Sequence, residues 1–154
     1  MPISSVIQNS AKADLLRAGT NFNTSGGTPA GHAFKIALYT NSTTIDTTTT
    51  AYGGPTNEVA SGGGYTTGGN TLTNTGVGTT TVTSFTDFSD TSWTSASFTA
   101  RGCLIYNSST ITGLTTDAAV CSIDFGGDKT VSSGTFTIQF PTNDSSSAII
   151  RITS

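Results

Sequence analysis

Residues 96–107 read "ASFTARGCLIYN" and 118–125 read "AAVCSIDF". In the first run, alternation places Phe98, Ala100, Gly102, Leu104 and Tyr106 on one side. In the second it places Cys121, Ile123 and Phe125 together. Apolar residues at every second position mark a half-buried strand. The interval between the runs, "NSSTITGLTTD" (107–117), is polar and turn-forming, so the pair predicts an antiparallel hairpin.

The same pattern extends in both directions. "AFKIALYT" (33–40) puts Phe34, Ile36 and Leu38 on one face, and "TTTVTSFTDF" (79–88) is rich in β-branched and aromatic residues. "GTFTIQF" (134–140) alternates Phe136, Ile138 and Phe140, and "AIIRIT" (148–153) carries Ile150 and Ile152. "FGGDK" (125–129) predicts a tight hairpin turn, because Gly126 and Gly127 accept the positive φ of primed turns. Trp93, in "DTSWTS", is the expected large plug at one end of the core. These runs together predict an all-β fold, an antiparallel β-sandwich or jelly roll, over residues 33–154.

Residues 1–32 differ. "NSAKADLLRAG" (9–19) predicts one short helix capped by Asn9 or Ser10, with Asp14 toward its positive end and Gly19 at its C-terminus. So short a helix needs Leu15 and Leu16 to dock on something. "TNFNTSGGTPAGH" (20–32) reads as a linker, with His32 solvated. Residues 1–32 are therefore expected to form an N-terminal arm that reaches a neighbour through Val6, Ile7, Leu15 and Leu16. Deleting residues 1–20 is expected to leave the sandwich folded.

Composition narrows the function. Charged residues make up 10% of the 154, the net charge is −3, and the six basic residues are dispersed. Nucleic-acid binding therefore lacks its electrostatic footprint. No run is long enough to span a membrane, and the N-terminus lacks the pattern of a signal peptide. A protein made in the cytoplasm is the expectation, with Cys103 and Cys121 as free, buried thiols, although a hairpin would let them face each other. One histidine cannot supply a catalytic triad or a histidine-rich metal site. Asp87 with Asp90 reads as a turn, and Asp124 with Asp128 as the flanks of a hairpin. No catalytic residue, metal site or cofactor is expected.

The segment 41–70, almost without aliphatic residues, includes "SGGGYTTGG" (61–69). Its glycines suggest a phosphate cradle, but no lysine or helix follows as such a loop requires. The alternative is a bend that uses glycine's φ range. Tyr52 and Tyr65 there are either sugar-stacking platforms or pins that fasten the segment to the sandwich.

The ordered set "KIALYTNSTTID" (35–46), "TNEVASGGGYTTGGNTLTNTG" (56–76), "DTSWTSASFTARGCLIYNSS" (90–109) and "IDFGGDKTVSSGTFTIQF" (123–140) resembles small virion structural proteins of tailed bacteriophages, cyanophages among them. The resemblance implies a β-sandwich capsid decoration (cement) protein. It would be non-enzymatic and trimeric, bound to the major capsid protein and located in the virion. The alternative is a tail or fibre component that binds a receptor or glycan through Tyr52, Tyr65 and Trp93. Cys103 and Cys121 depart from the pattern, which has small apolar residues at those positions.

Overall fold

The computed structural model describes residues 2–154. In chain order the elements are β1 (Val6–Ile7), α1 (Asn9–Leu16), β2 (Phe34–Tyr39), β3 (Asn70–Leu72), β4 (Asn74–Thr79), β5 (Thr83–Phe88), β6 (Thr91–Asn107), β7 (Ala118–Ile138) and β8 (Ile150–Thr153). They form a five-stranded sheet of order β1-β7-β6-β2-β3 and a three-stranded sheet of order β4-β5-β8, antiparallel throughout. The result is an all-β sandwich with one short helix.

The main core lies between the sheets. Phe34, Ile36 and Leu38 of β2 meet Cys103, Ile105, Phe88 and Ile150 there, and Trp93 packs among Tyr65, Phe98 and Phe136. The other face of the large sheet is also covered. Ala37, Tyr39, Leu104, Tyr106 and Ala119 form a second cluster with Ile3 and Ile45. Burial on both faces explains why β2 is apolar at nearly every position rather than at every second one.

Two expectations about β6 and β7 are corrected. Gly126-Gly127 is no hairpin turn. Strand β7 runs through it, and between the pairs Ala100↔Lys129 and Gly102↔Asp124 Arg101 alone faces Phe125–Asp128. This wide bulge, with Gly126 at φ +73°, is held by Arg101 donating to Asp124 from Nε (2.8 Å) and Nη2 (3.3 Å). An extra-residue bulge shifts the side-chain phase. Ala100 and Cys103 consequently face the main core, while Leu104 and Tyr106 face the second cluster. Cys103 and Cys121 are diagonal across the ladder rather than opposite, because Cys103 pairs with Ile123 and Ile105 with Cys121.

The expected N-terminal arm is part of the sandwich. Val6 and Ile7 pair with Ser122 and Cys121, and Ile3 bridges Ile45 in parallel. The buried Gln8 donates from Nε2 to Ser122 Oγ (2.9 Å), which donates to the Ser4 carbonyl (2.7 Å). Helix α1 begins after Gln8, which gives no side-chain cap, and ends at Leu16. Asp14 therefore lies in the last turn, beside Arg17. Ala18, at φ 55°, takes the left-handed position after the helix, and the Gly19 N–H closes it on the Asp14 carbonyl. The 20–32 linker is folded as well. Phe22 stacks on Phe34 with centroids 4.9 Å apart. His32 Nδ1 accepts from the Asn21 N–H (3.3 Å) and Asn107 Nδ2 (3.0 Å), and burial pulls its pKa down.

Sequence patterning also misses β1, β3 and β4. The last two carry the chain from one sheet to the other around Thr73.

If residues 2–8 are structural, Ile3→Ala lowers stability by about 2–4 kcal/mol, whereas Leu16→Ala changes it by less than about 0.5 kcal/mol. Denaturant unfolding of the two variants checks this; equal effects would mean that the N-terminal segment is a loose arm.

Candidate functional site

Glu58 stands at the centre of the segment whose glycines raised the question of an anion cradle. Its Oε1 accepts from the Tyr65 hydroxyl (2.6 Å) and the Gly68 N–H (2.7 Å), and its Oε2 from the Tyr52 hydroxyl (2.6 Å). Tyr65 Oη also accepts from the Leu38 N–H (3.0 Å), and Tyr106 donates to the Gly68 carbonyl (2.8 Å). The glycine loop does hold an anion, and the anion is the protein's own carboxylate. Short bonds to an ionised acceptor are among the stronger hydrogen bonds.

The glycines fit the loop against the protein's own backbone. A Cβ on Gly64 would lie 2.6 Å from the Thr94 carbonyl oxygen, and one on Gly69 would collide with that of Ile36. The Gly63 carbonyl accepts from the Ser97 N–H (2.8 Å). The bend therefore wraps β6 and β2 and leaves no open cradle for a phosphate.

Tyr65 is 2% exposed, and its ring meets Phe98 edge-on. Trp93 is buried too, so neither presents a face to a sugar. Tyr52 is half-buried and stacks on Tyr106 with centroids 4.5 Å apart. Burial, with the bonds to Glu58, holds the Tyr65 and Tyr52 hydroxyls well above the usual phenol range, and burial does the same for Tyr39 and Tyr106. These are the chain's four tyrosines.

The remaining candidates gather elsewhere. Ile7, Leu15 and Leu16 line a groove of about 420 Å³ with Ile150 and Ile152 of β8. Beside it, Leu15, Phe22, Val77, Phe85 and Ile152 line another of about 360 Å³. Leu16 is 91% exposed, Ile152 and Val82 59%, and Val77 56%. Of the two leucines expected to dock on something, Leu15 packs against the core of its own chain, while α1 turns Leu16 outward. Val6 lies apart from this patch, in a hollow with Cys121 and Ile123. Sequence reading missed Val77, Val82 and Ile152; an aliphatic residue in an otherwise polar turn, as in "TTTV", was the available signal.

The other titratable groups serve the frame. Buried Asp87 accepts from the Phe88 N–H (2.8 Å) and the Ile149 N–H (3.1 Å), and burial raises its pKa. Asp90 accepts from the Phe140 N–H (2.8 Å). Both therefore fasten the C-terminal segment as well as the β5–β6 turn. Cys103 and Cys121 are free and buried. Burial pushes Cys121 up to about 12 and Cys103 higher still, so both remain thiols. Among the described residues no group of three or more His, Cys, Asp or Glu could hold a metal ion, and no helix is long and apolar enough to cross a membrane. No known protein family, curated protein or solved structure matches the chain.

Glu58→Gln leaves one oxygen to accept three donors and turns an NH₂ group toward one of them, at a cost of about 2–3 kcal/mol. Alkali acts on the same network. The folded tyrosines titrate above the unfolded value of about 10, so their contribution is complete below that pH and is lost as pH rises beyond it. Phenolate absorbance should rise together with loss of near-UV circular dichroism. Ionisation of one or more tyrosines in still-folded protein would contradict this placement.

Proposed function

We propose that this chain is a non-enzymatic structural subunit of a phage particle, a capsid decoration (cement) protein bound to the major capsid protein. The observation that carries the reading is the exposed aliphatic patch of Leu16, Val77 and Ile152 along the two adjoining grooves. Contiguous apolar surface rimmed by polar residues is characteristic of sites that bind another protein. Its position across α1, β4, β5 and β8 offers a rigid face, since each element is anchored in the sandwich.

Other features are consistent with a coat role. With 10% charged residues and a net charge of −3, copies pack closely with little mutual repulsion. Glu58, Asp87 and Asp90 are engaged in holding backbone and tyrosines, which suits a scaffold. The order of sequence segments adds the resemblance to virion proteins, for which a trimer is implied. The tail or fibre reading loses support, because Tyr65 and Trp93 are buried and Tyr52 is stacked on Tyr106.

Two measurements test the proposal. Quantitative mass spectrometry of particles should find the chain at hundreds of copies, near a simple ratio to the major capsid protein. Leu16→Glu combined with Ile152→Glu should keep the wild-type circular dichroism yet lose at least about tenfold in co-sedimentation with capsids, the scale of a hot-spot loss. Absence from particles, or unchanged attachment by the double variant, would refute the assignment.

A further inference from the structure

Strand β7 has an unpaired edge. Strand β1 covers Cys121 and Ser122. From Lys129 to Ile138 the main chain bonds to β6 and to no other element among the described residues. The two flanks are treated differently. The Asp124 N–H donates to Ser5 Oγ (2.9 Å), and the Phe140 N–H to Asp90 (2.8 Å). A side chain thus caps the edge at Asp124, while the Phe140 N–H turns toward the β6 side, and the run between them is left open.

The open run has the composition that pairs. A bulge at Ser132-Ser133, with Ser133 at φ 48°, interrupts its start. After it comes "GTFTIQF" (134–140), and no charged residue occurs from Thr130 to Asn143. "TFTIQF" is alternating, rich in β-formers, uncharged and free of proline, the pattern of segments that pair with copies of themselves. Exposed edges in soluble proteins ordinarily carry lysine, proline or a covering loop, and none lies between Gly134 and Phe140. Beside the edge, Phe125, Phe136, Ile138 and Phe140 are half-buried around a cavity of about 580 Å³ that reaches Ile149 of the C-terminal segment.

We propose that two copies of this chain pair antiparallel, edge to edge, along Gly134–Phe140 about a two-fold axis at Thr137, joining their five-stranded sheets into one. In this register Phe136 of each copy stands opposite Ile138 of the other on the cavity side, an aromatic–aliphatic cross-strand pair. Gly134 faces Phe140, and Thr137 faces its own symmetry mate. Asp128 and Lys129 fall beyond the paired run, at opposite ends of the two copies, so like charges stay apart. A self-complementary edge closes at two subunits, which departs from the trimer implied by the resemblance. The paired run of about 20 Å, with its flanking aromatics, lies at the small end of stable interfaces, so association is micromolar. The pairing does not depend on the particle reading.

Light scattering on the full chain should give a mass of two 15.6 kDa chains, about 31 kDa, at tens of micromolar. Thr137→Glu sets two carboxylates directly opposite and should yield a monomer with unchanged circular dichroism. Thr137→Cys should form a covalent dimer on mild oxidation, while Ser132→Cys should not. The native thiols are buried and take no part. A wild-type monomer at these concentrations, a trimer, a dimer indifferent to Thr137→Glu, or equal crosslinking at positions 132 and 137 would each overturn the proposal.

Discussion

Everything in this sandwich hangs on the pairing of β6 with β7. The ladder runs from Thr91↔Ile138 to Asn107↔Ala118; β1 attaches to β7 and β2 to β6, with β3 beyond β2. Residues Cys103 to Tyr106 of β6 are apolar at consecutive positions, so this end of the strand supplies side chains to both faces. The bulge at Arg101 and Phe125–Asp128 changes the phase, so Cys103 and Ile105 join Ala100 in the main core and Leu104 and Tyr106 pass to the second cluster. A single irregularity thus decides which side chains of β6 fill which core.

A second face needs a cover, and the cover is made from segments with little apolar content. Residues 2–8 supply Ile3, and residues 41–70 supply Ile45 and Tyr52, while Val59 and Tyr65 of the same segment reach the main core. Polar loops of this kind gain little from the hydrophobic effect, so directional bonds must hold them. Glu58 does so, gathering two phenols and a backbone N–H at one carboxylate, while Gly64 and Gly69 permit the chain to lie directly on β6 and β2. Binding energy that a catalytic site would turn on a substrate is here spent on the fold itself. What remains for partners is surface: the aliphatic patch near α1 and β8, and the bare edge of β7.

How much of this was legible in the residues follows from what each signal measures. Strict alternation in "FKIAL" and "TFTIQF" reports a strand and its inward face, and both were read correctly. The bulge was not legible, because Gly126-Gly127 suits a hairpin turn and a strand irregularity equally well. The phase of Leu104 and Tyr106 was misassigned for the same reason. Val6 and Ile7 form a strand only because β7 offers an edge there, which no local pattern encodes. Tyr65 was open to two readings, platform or pin, and the deciding partner, Glu58, is a lone acidic residue whose role depends on contacts with Tyr52, Gly68 and Tyr65. Leu15 and Leu16 both read as docking residues; as neighbours they stand about 100° apart around a helix, so Leu15 packs against the core and Leu16 points outward.

The claim that the glycine-rich segment is an anchored layer of the sandwich is tested most directly by hydrogen exchange resolved to peptides covering residues 56–72. Because the Val59 N–H is bonded to the Leu38 carbonyl and Glu58 is locked by three donors, protection there should approach that of β6, and Glu58→Gln should abolish it selectively. Full exchange of this segment in the wild-type protein at the earliest times, with β6 protected, would contradict the account and make residues 41–70 a free arm.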